Sequence, residues 1–76
     1  MNPAKVIGQN ISYLRELKNI KQESLARHLG ITKGRMSQIE FGDCQEITVN
    51  RLHKIANYIG VDFFDLFKLP VAIDHT

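Results

Sequence analysis

A glycine between two short helical patterns is the feature that most constrains how this chain folds. In the stretch Gln22–Ile39, the apolar residues recur at helical spacing on both sides of that glycine: Leu25, Ala26 and Leu29 before it, and Met36 and Ile39 after it. Glycine at position 30 is able to adopt a positive φ at no steric cost, and Thr32 is predicted to be the N-cap of the second helix. The stretch therefore predicts two helices joined by a tight turn, with Ala26 small enough to allow a close crossing.

The second helix of this pair carries polar residues that a core does not need. Its outward-facing residues are predicted to be Lys33, Gly34, Arg35, Ser37 and Gln38. A solvated surface would explain such residues, and so would contact with a partner. Gly42 is the predicted C-terminal stop of this helix.

The remaining patterns are also helical. After a frayed start at residues 1–5, with Pro3 suited to a first helical turn, a stripe predicts a first helix ending near Lys18: Ile7, Ile11, Leu14 and Leu17. Gly8 inside it suggests a backbone passing close by. A fourth helix, from a cap at Thr48 to Gly60, has the predicted core stripe Val49, Leu52, Ile55, Ala56 and Ile59.

The end of the chain predicts one more short element. Asp62 and Asp65 have the spacing of a capping arrangement for a last helix that ends at about Phe67. No β alternation occurs, so we expect an all-α fold, a compact bundle of four to five helices. We expect one domain over residues 1–76, with a core at about 6–67 and a tail at 68–76.

Length and composition limit the kinds of protein that this chain can be. The chain has 76 residues, 43% of them apolar, which suits one globular domain, and we expect no separate effector domain. Cys44 is the only cysteine, so no internal disulfide forms and a reducing, cytoplasmic location is expected. No apolar run approaches the ~20 residues of a membrane span, and no signal peptide is evident.

The charge is unevenly divided along the chain. Residues 1–38 carry seven Lys/Arg and two acidic residues (+5), whereas residues 39–76 carry three Lys/Arg and six acidic residues (−3). A basic half of this kind suits a protein that presents one side to a polyanion. A merely uneven solvated surface is the alternative.

Taken together, these segments resemble the lambda-repressor-like DNA-binding domain of the Cro/CI (XRE) family of transcriptional regulators. The resemblance covers about residues 6–67 and has three parts: IGQNISYLRELK, KQESLARHLGITKGRMSQIEFG and TVNRLHKIANYIGVDFFDLF. It implies a lambda-repressor-like bundle with a helix-turn-helix. The small format is similar to phage Cro-like repressors and to controller proteins of restriction-modification systems.

The resemblance implies that the helix after Thr32 enters the major groove of double-stranded DNA. The positions that match the family's base contacts are Thr32, Lys33, Gly34, Arg35 and Gln38. Lys33 and Arg35 suit guanine O6 and N7, and Gln38 suits adenine N6 and N7. Gly34 departs from the pattern, because it offers no side chain at a central position.

The resemblance also implies contacts that position the protein on the DNA backbone. We expect Lys21, Gln22, Ser37, Gln45 and Thr48 to lie at phosphates, together with the amides that begin the second helix. Asp43 and Glu46 occupy a loop that is often basic in the family. In the family an arginine of the first helix pairs with the glutamate that ends the recognition helix; Arg15 and Glu40 match these positions and are expected to form a structural ion pair.

Surplus apolar residues near the C-terminus suggest a dimer. Val61, Phe63 and Leu66 suffice to close the core, which leaves an apolar cluster without a partner: Phe64, Phe67, Leu69, Val71 and Ile73. A symmetric homodimer through this cluster would place two recognition helices about one turn of DNA apart.

The function predicted is therefore a sequence-specific transcriptional regulator that binds a palindromic operator as a homodimer. Repression is the default, and activation through contact of acidic residues with RNA polymerase is a second option. The alternative is an antitoxin or other protein-binding module of the same fold. An enzyme is the weakest case, because no nucleophile-base pair or carboxylate pair can be assembled. His28, His53, His75 and Cys44 lack metal-ligand spacing, and we expect no metal, no cofactor, no small-molecule effector and no membrane association.

Overall fold

The computed structural model describes residues 2–43 and 47–68, and these form a helical bundle. Its elements are α1 (Pro3–Leu17), α2 (Gln22–Leu29), α3 (Lys33–Phe41), α4 (Val49–Ile59) and a C-terminal 3₁₀ helix (Phe63–Phe67). The described ranges contain no strand, and the all-α prediction is confirmed. No helix in these ranges is long and apolar enough to span a bilayer.

Local chemistry explains where the helices begin and end. The hydroxyl of Thr32 accepts a hydrogen bond from the Arg35 amide at 3.0 Å, so Thr32 is the N-cap of α3 as predicted. Thr48 caps α4 in the same way. Gly30 has φ 73° and closes α2, which turns the chain directly into α3.

The N-terminus is more ordered than predicted. Pro3 begins α1, and the side chain of Asn2 accepts from the Ala4 amide at 2.9 Å. The expectation of a frayed start is therefore wrong for residues 3–5, because an asparagine N-cap and a proline in the first turn stabilise the helix there. Met1 lies outside the described residues.

The core lies where α1, α2 and α4 meet α3 and the 3₁₀ helix. Its buried members include most residues of the predicted stripes: Ile11, Leu25, Ala26, Met36, Ile39, Leu52, Ile55, Ala56, Ile59 and Leu66. Val49 is exposed, so its assignment to the core is wrong, and Leu17, the last residue of the predicted stripe of α1, is exposed as well. Each stands at a helix end, and periodicity predicts the side of a helix that is buried but not how far along its axis the neighbouring elements extend.

A close helix crossing sets the position of α3. A Cβ atom built on Gly8 of α1 would lie 2.4 Å from the carbonyl oxygen of Ile39 and 2.6 Å from that of Glu40. Both neighbours are backbone atoms and have little freedom to move. The prediction that Gly8 admits another backbone is confirmed, and that backbone is the C-terminal end of α3.

We expect Gly8→Ala to lower the free energy of unfolding by about 1–3 kcal/mol, because the clash outweighs the gain in helix propensity. Gly34→Ala is the matched control. Its Cβ would meet only the Thr32 hydroxyl oxygen, at 3.9 Å, so the same substitution should stabilise α3 by up to about 1 kcal/mol. Urea denaturation of each variant measures the change in the free energy of unfolding and its sign. Equal destabilisation by the two substitutions would contradict the close packing of α1 at Gly8 against the backbone of α3.

Candidate nucleic-acid interface

The outward face of α3 carries the side chains predicted to meet bases. The core side of the helix is occupied by Met36, Ile39 and Glu40. All five predicted base-contact residues are exposed: Thr32, Lys33, Gly34, Arg35 and Gln38. The structure thus brings them together on one short helix and its cap, and none of them is buried in the core.

Two of these side chains are linked on the helix surface. Arg35 Nη1 donates to Gln38 Oε1 at 3.4 Å, across one turn of α3. Both residues are exposed, and among the described residues the other guanidinium N–H groups and the Gln38 amide N–H groups make no further hydrogen bond. This part of the face is therefore rich in hydrogen-bond donors.

Gly34 leaves an open space between Lys33 and Arg35. Among the described residues, and apart from its chain neighbours and the backbone of its own helix, the one heavy atom within 4 Å of a Cβ built there is the Thr32 hydroxyl oxygen. No packing in the described structure therefore requires glycine at this position. What the glycine does provide is a low profile, which lets another surface approach the α3 backbone closely.

An enclosed ion pair anchors the C-terminal end of α3 to α1. Arg15 Nε donates to Glu40 Oε2 at 2.7 Å, and Arg15 Nη2 donates to Glu40 Oε1 at 3.1 Å. The two side chains are only 10% and 7% exposed. Arg15 Nη1 also donates to the carbonyl oxygen of Ile20 at 2.8 Å, so the same guanidinium holds the link between α1 and α2.

Gln22 and Ser37 extend this network toward the surface. Gln22 Nε2 donates to Glu40 Oε1 at 3.0 Å, and the Ser37 hydroxyl donates to Gln22 Oε1 at 3.1 Å. Both residues were predicted at phosphates, and both are half-buried. The Ser37 proton is engaged within the protein, whereas the Gln22 amide keeps one N–H for an outside acceptor.

The other predicted phosphate contacts differ in position. Lys21 is exposed and precedes α2, which begins without a side-chain cap, so the first amides of α2 remain available to an anion. Thr48 is exposed, and its hydroxyl caps α4. Gln45 lies outside the described residues, as do Cys44 and Glu46.

The predicted dimer surface is described in part. Phe64 is 69% exposed and Phe67 is 42% exposed, and both rings pack against Phe63. An apolar cleft of about 390 Å³ adjoins Phe67 and is lined by residues that include Pro3, Ile7, Ile47, Val49 and Leu52. Leu69, Val71 and Ile73 lie outside the described residues, as do the other residues of the predicted tail beyond Lys68.

One ion pair stands at the end of the 3₁₀ helix. Lys68 Nζ lies 2.6 Å from Asp65 Oδ1. The hydrogen bond from Lys68 lowers the pKa of the Asp65 carboxyl, and the same bond raises the pKa of Lys68. Asp65 also accepts from the Asp62 amide, so this pair belongs to the capping arrangement of the 3₁₀ helix.

The histidines of the described region pack against aromatic rings. His28 stacks on Tyr58 with ring centroids 4.5 Å apart, and His53 stacks on Phe63 at 3.9 Å. Within residues 2–43 and 47–68, no three His, Cys, Asp or Glu side chains are grouped so that they could hold a metal ion.

Comparison with known proteins identifies the family. A model of the Cro/C1-type HTH DNA-binding domain matches residues 10–71, most of the chain. The chain belongs to this family. As a Cro/C1-type domain, it is a DNA-binding regulator, and the family prediction made from the sequence is confirmed.

Solved structures of regulators share the fold of this Cro/C1-type domain. The hypothetical transcription factor NHTF from Neisseria is 27% identical, with a TM-score of 0.80 over 93% of this chain and 80% of that one. The restriction-modification controller protein C.AhdI from Aeromonas hydrophila is 25% identical, with a TM-score of 0.75 over 84% and 91%. The clp gene regulator ClgR from C. glutamicum, 21% identical with a TM-score of 0.75 over 83% and 80%, shows the likeness of fold alone. No curated protein matches the chain significantly.

Two residues of this Cro/C1-type domain were not singled out from the sequence. Asn10 is buried, and its side-chain amide donates to the carbonyl oxygens of Leu66 at 3.0 Å and of Lys68, which holds the 3₁₀ helix against α1. No short-range pattern indicates such a contact. Phe41 is 71% exposed at the end of α3, and the helical period counted from Gly34 would have placed it on the outward face.

Proposed function

We propose that this Cro/C1-type domain is a sequence-specific transcriptional repressor that binds a palindromic operator as a homodimer, with α3 in the major groove. The observation that carries the proposal is the outward face of α3. Its side chains take no part in the core, while the helix beneath them is fastened to α1 by the enclosed pair of Arg15 and Glu40. A rigid helix with an unused polar face suits direct readout of base edges.

The side chains of this face differ in the bases that they suit. Arg35 and Lys33 donate to guanine O6 and N7, and Gln38 pairs with adenine N6 and N7. The 3.4 Å contact between Arg35 and Gln38 supports the proposal, because it shows that both side chains can lie side by side on the outward face of α3. Thr32 offers its methyl group at the start of the helix, and Gly34 lets the backbone approach the base edges.

Phosphate contacts fix the register of the protein on DNA. In the proposal, one phosphate group or two neighbouring ones bind at the start of α2. The donors are the first backbone amides of α2, the Lys21 ammonium group and the free N–H of the Gln22 side-chain amide. Thr48 contributes at the start of α4, and Gln45, which precedes it in the sequence, contributes a further contact in the proposal. Ser37 acts through Gln22, because its hydroxyl proton is already donated to the Gln22 oxygen.

The homodimer forms through the aromatic C-terminal surface. Phe64 projects from the 3₁₀ helix, and Phe67 lies at the rim of the apolar cleft. Two exposed rings on one short helix, of which Phe67 lines an apolar cleft, support a two-fold interface, which requires one surface that is complementary to itself. In the proposal the contact is completed by Phe67 and by three residues of the predicted tail: Leu69, Val71 and Ile73.

The fold shared with C.AhdI, a restriction-modification controller protein, makes control of a restriction-modification locus the first role to examine.

Selection of bound sequences from random DNA tests this function. We expect an enriched inverted repeat with half-sites about one helical turn apart, and affinity for it that falls steeply with salt concentration. Sedimentation at micromolar concentration should show a dimer. Enrichment of a single unrepeated site, or a monomer in sedimentation, would contradict the homodimer; no enrichment at all would contradict sequence-specific binding.

A further inference from the structure

Asn10 of α1 is a buried polar residue that the proposed function leaves unused. Only 5% of its surface is accessible. Its amide nitrogen donates to the carbonyl oxygen of Leu66 at 3.0 Å and to that of Lys68, so both N–H groups of the amide are engaged. Among the described residues, these are the only hydrogen bonds that join the 3₁₀ helix and its C-cap, Lys68, to another element.

These bonds restrict the 3₁₀ helix in a way that apolar packing does not. Leu66 is fully buried in the core and Phe63 packs against it, but apolar contact is non-directional. An N–H···O bond holds its nitrogen and oxygen about 2.7–3.2 Å apart and favours a nearly straight angle. Two such bonds from one amide group, to carbonyls two residues apart, therefore fix both the position and the rotation of the 3₁₀ helix on α1.

The helix α1 joins the candidate nucleic-acid interface to the proposed dimer surface. Gly8 and Asn10 differ by about 200° around the axis of α1 and by about 3 Å along it, so they lie on opposite sides of the helix. At Gly8 the backbone of α3 passes close by, whereas Asn10 holds the 3₁₀ helix, which carries Phe64 and Phe67. In agreement, α3 packs on α1 and α2, and the 3₁₀ helix packs on α1 and α4.

We propose that Asn10 is a positioning residue that sets the distance between the two half-sites bound by the homodimer. In a two-fold dimer, a displacement of the 3₁₀ helix relative to α3 occurs in both protomers, so the separation of the two recognition helices changes by up to twice that displacement. This inference rests on the proposed function, because it requires a homodimer that forms through Phe64 and Phe67.

The tolerances of the hydrogen bonds and of the DNA support this role. Successive base pairs are about 3.4 Å apart, so a displacement of about 1.7 Å in each protomer is sufficient to change the spacing by one base pair. The two bonds from Asn10 allow their donor–acceptor distances to vary by only about 0.5 Å. The 3₁₀ helix held by Asn10 therefore selects one spacing, and its release permits neighbouring spacings.

The test measures affinity as a function of half-site spacing. In the duplex obtained by selection, one or two base pairs are removed or added between the half-sites. Wild-type affinity should fall by about tenfold or more at one base pair from the optimum, because both recognition helices no longer bind at once. Asn10→Leu is similar in size and has no donor, so the same change should cost it about threefold or less.

Affinity for a duplex with a single half-site separates positioning from a general loss of structure. Asn10 lies on the side of α1 that faces away from α3, so Asn10→Leu should bind the single half-site within about twofold of the wild type. A loss of affinity there as large as the loss for the whole operator would overturn the proposal. A monomer of Asn10→Leu in sedimentation at the assay concentration would also overturn it, since Asn10 would then be needed to form the dimer.

Two further variants make the result interpretable. Leu25→Val shortens a fully buried side chain of α2 and lowers stability without touching the carbonyls of Leu66 and Lys68, so it should keep the wild-type dependence on spacing. Asn10→Ser keeps one donor and should show an intermediate dependence, which supplies the test where Asn10→Leu is unfolded by circular dichroism. A dependence as steep as that of the wild type in the folded Asn10 variants would overturn the proposal.

The failure of this inference is distinguishable from that of the proposed function. If selection enriches an inverted repeat but the Asn10 variants discriminate between spacings as the wild type does, only the role of Asn10 is refuted. The same holds if the wild type itself binds all spacings equally. If selection enriches no inverted repeat, or the wild type is a monomer, the proposed homodimer fails and the role of Asn10 fails with it.

Discussion

Replacement of Arg15 by alanine should lower the free energy of unfolding by about 3–5 kcal/mol, because it leaves the Glu40 carboxylate enclosed without its partner. Glu40 would keep the Gln22 amide as a donor, and the carbonyl of Ile20 would lose its hydrogen bond from the guanidinium. At roughly 0.05–0.15 kcal/mol per residue, a chain of this size has a total stability of about 4–11 kcal/mol, so the loss is a large fraction of it. Glu40→Ala should cost a similar amount, since it strands the positive charge instead.

A double-mutant cycle in urea measures the coupling of the two residues. We expect Arg15→Ala and Glu40→Ala to be non-additive by roughly 1–3 kcal/mol, because the second deletion removes a charge that the first has already stranded. Glu16→Ala is the control. Glu16 also lies near Arg15, at 3.6 Å, but its side chain is 69% exposed, so its removal should cost less than about 1 kcal/mol. Additive effects of the Arg15 and Glu40 substitutions would contradict a structural role of the pair.

Arg15→Lys provides a variant that retains the charge and is expected to fold. Lysine cannot reproduce the two parallel N–H donors that meet Glu40, nor the third bond to Ile20, so part of the stability should be lost. Stability equal to that of the wild type would indicate that charge alone, and not the fork geometry, holds α1 to α3.

Helix boundaries were predictable because their causes are local. Thr32 and Thr48 cap α3 and α4 with their own hydroxyl groups, and each bond reaches only three residues along the chain. Gly30 ends α2 by adopting a positive φ. Propensities of single residues are sufficient for such features, since no distant part of the chain takes part in them.

Long-range contacts were not predictable from periodicity. Gln22 was expected at a phosphate from its position at the start of α2, yet its amide bonds to Glu40, 18 residues away. Asn10 bonds to Leu66 across 56 residues. The pairing of Arg15 with Glu40 was inferred from the family resemblance, because no helical spacing relates residues on different elements.

The candidate interface also has features that periodicity predicts and features that it does not predict. The exposed face of α3 follows from the period of its apolar residues, and Met36 and Ile39 lie on the opposite side as expected. The period does not predict which polar side chains on that face contact one another. The hydrogen bond between Arg35 and Gln38 is an example. Prediction of base contacts therefore requires the structure, and prediction of the bases themselves requires an experiment.

Arg35→Ala should reduce the affinity for the selected operator by about 5- to 150-fold for each half-site, the factor that corresponds to one bidentate contact with guanine of ~1–3 kcal/mol. The reduction should be confined to the operator sequence. Once Arg35 is absent, exchange of the guanine that it contacts for another base should have little further effect, because the donor that distinguished the bases is gone. Binding measured against all single-base variants of the operator provides this comparison.

Lys21→Ala is the matched control, since it also removes one exposed positive charge but from the proposed phosphate contact. It should weaken binding to operator and random DNA by similar factors and leave base preferences intact. The slope of log affinity against log salt concentration should fall by about 2, about 1 for each protomer of the dimer. Arg35→Ala should lose base preference at one position in each half-site. If both variants weakened binding uniformly and retained the same preferences, Arg35 would be a phosphate contact, and Lys33 and Gln38 would remain as the donors that distinguish bases near Gly34.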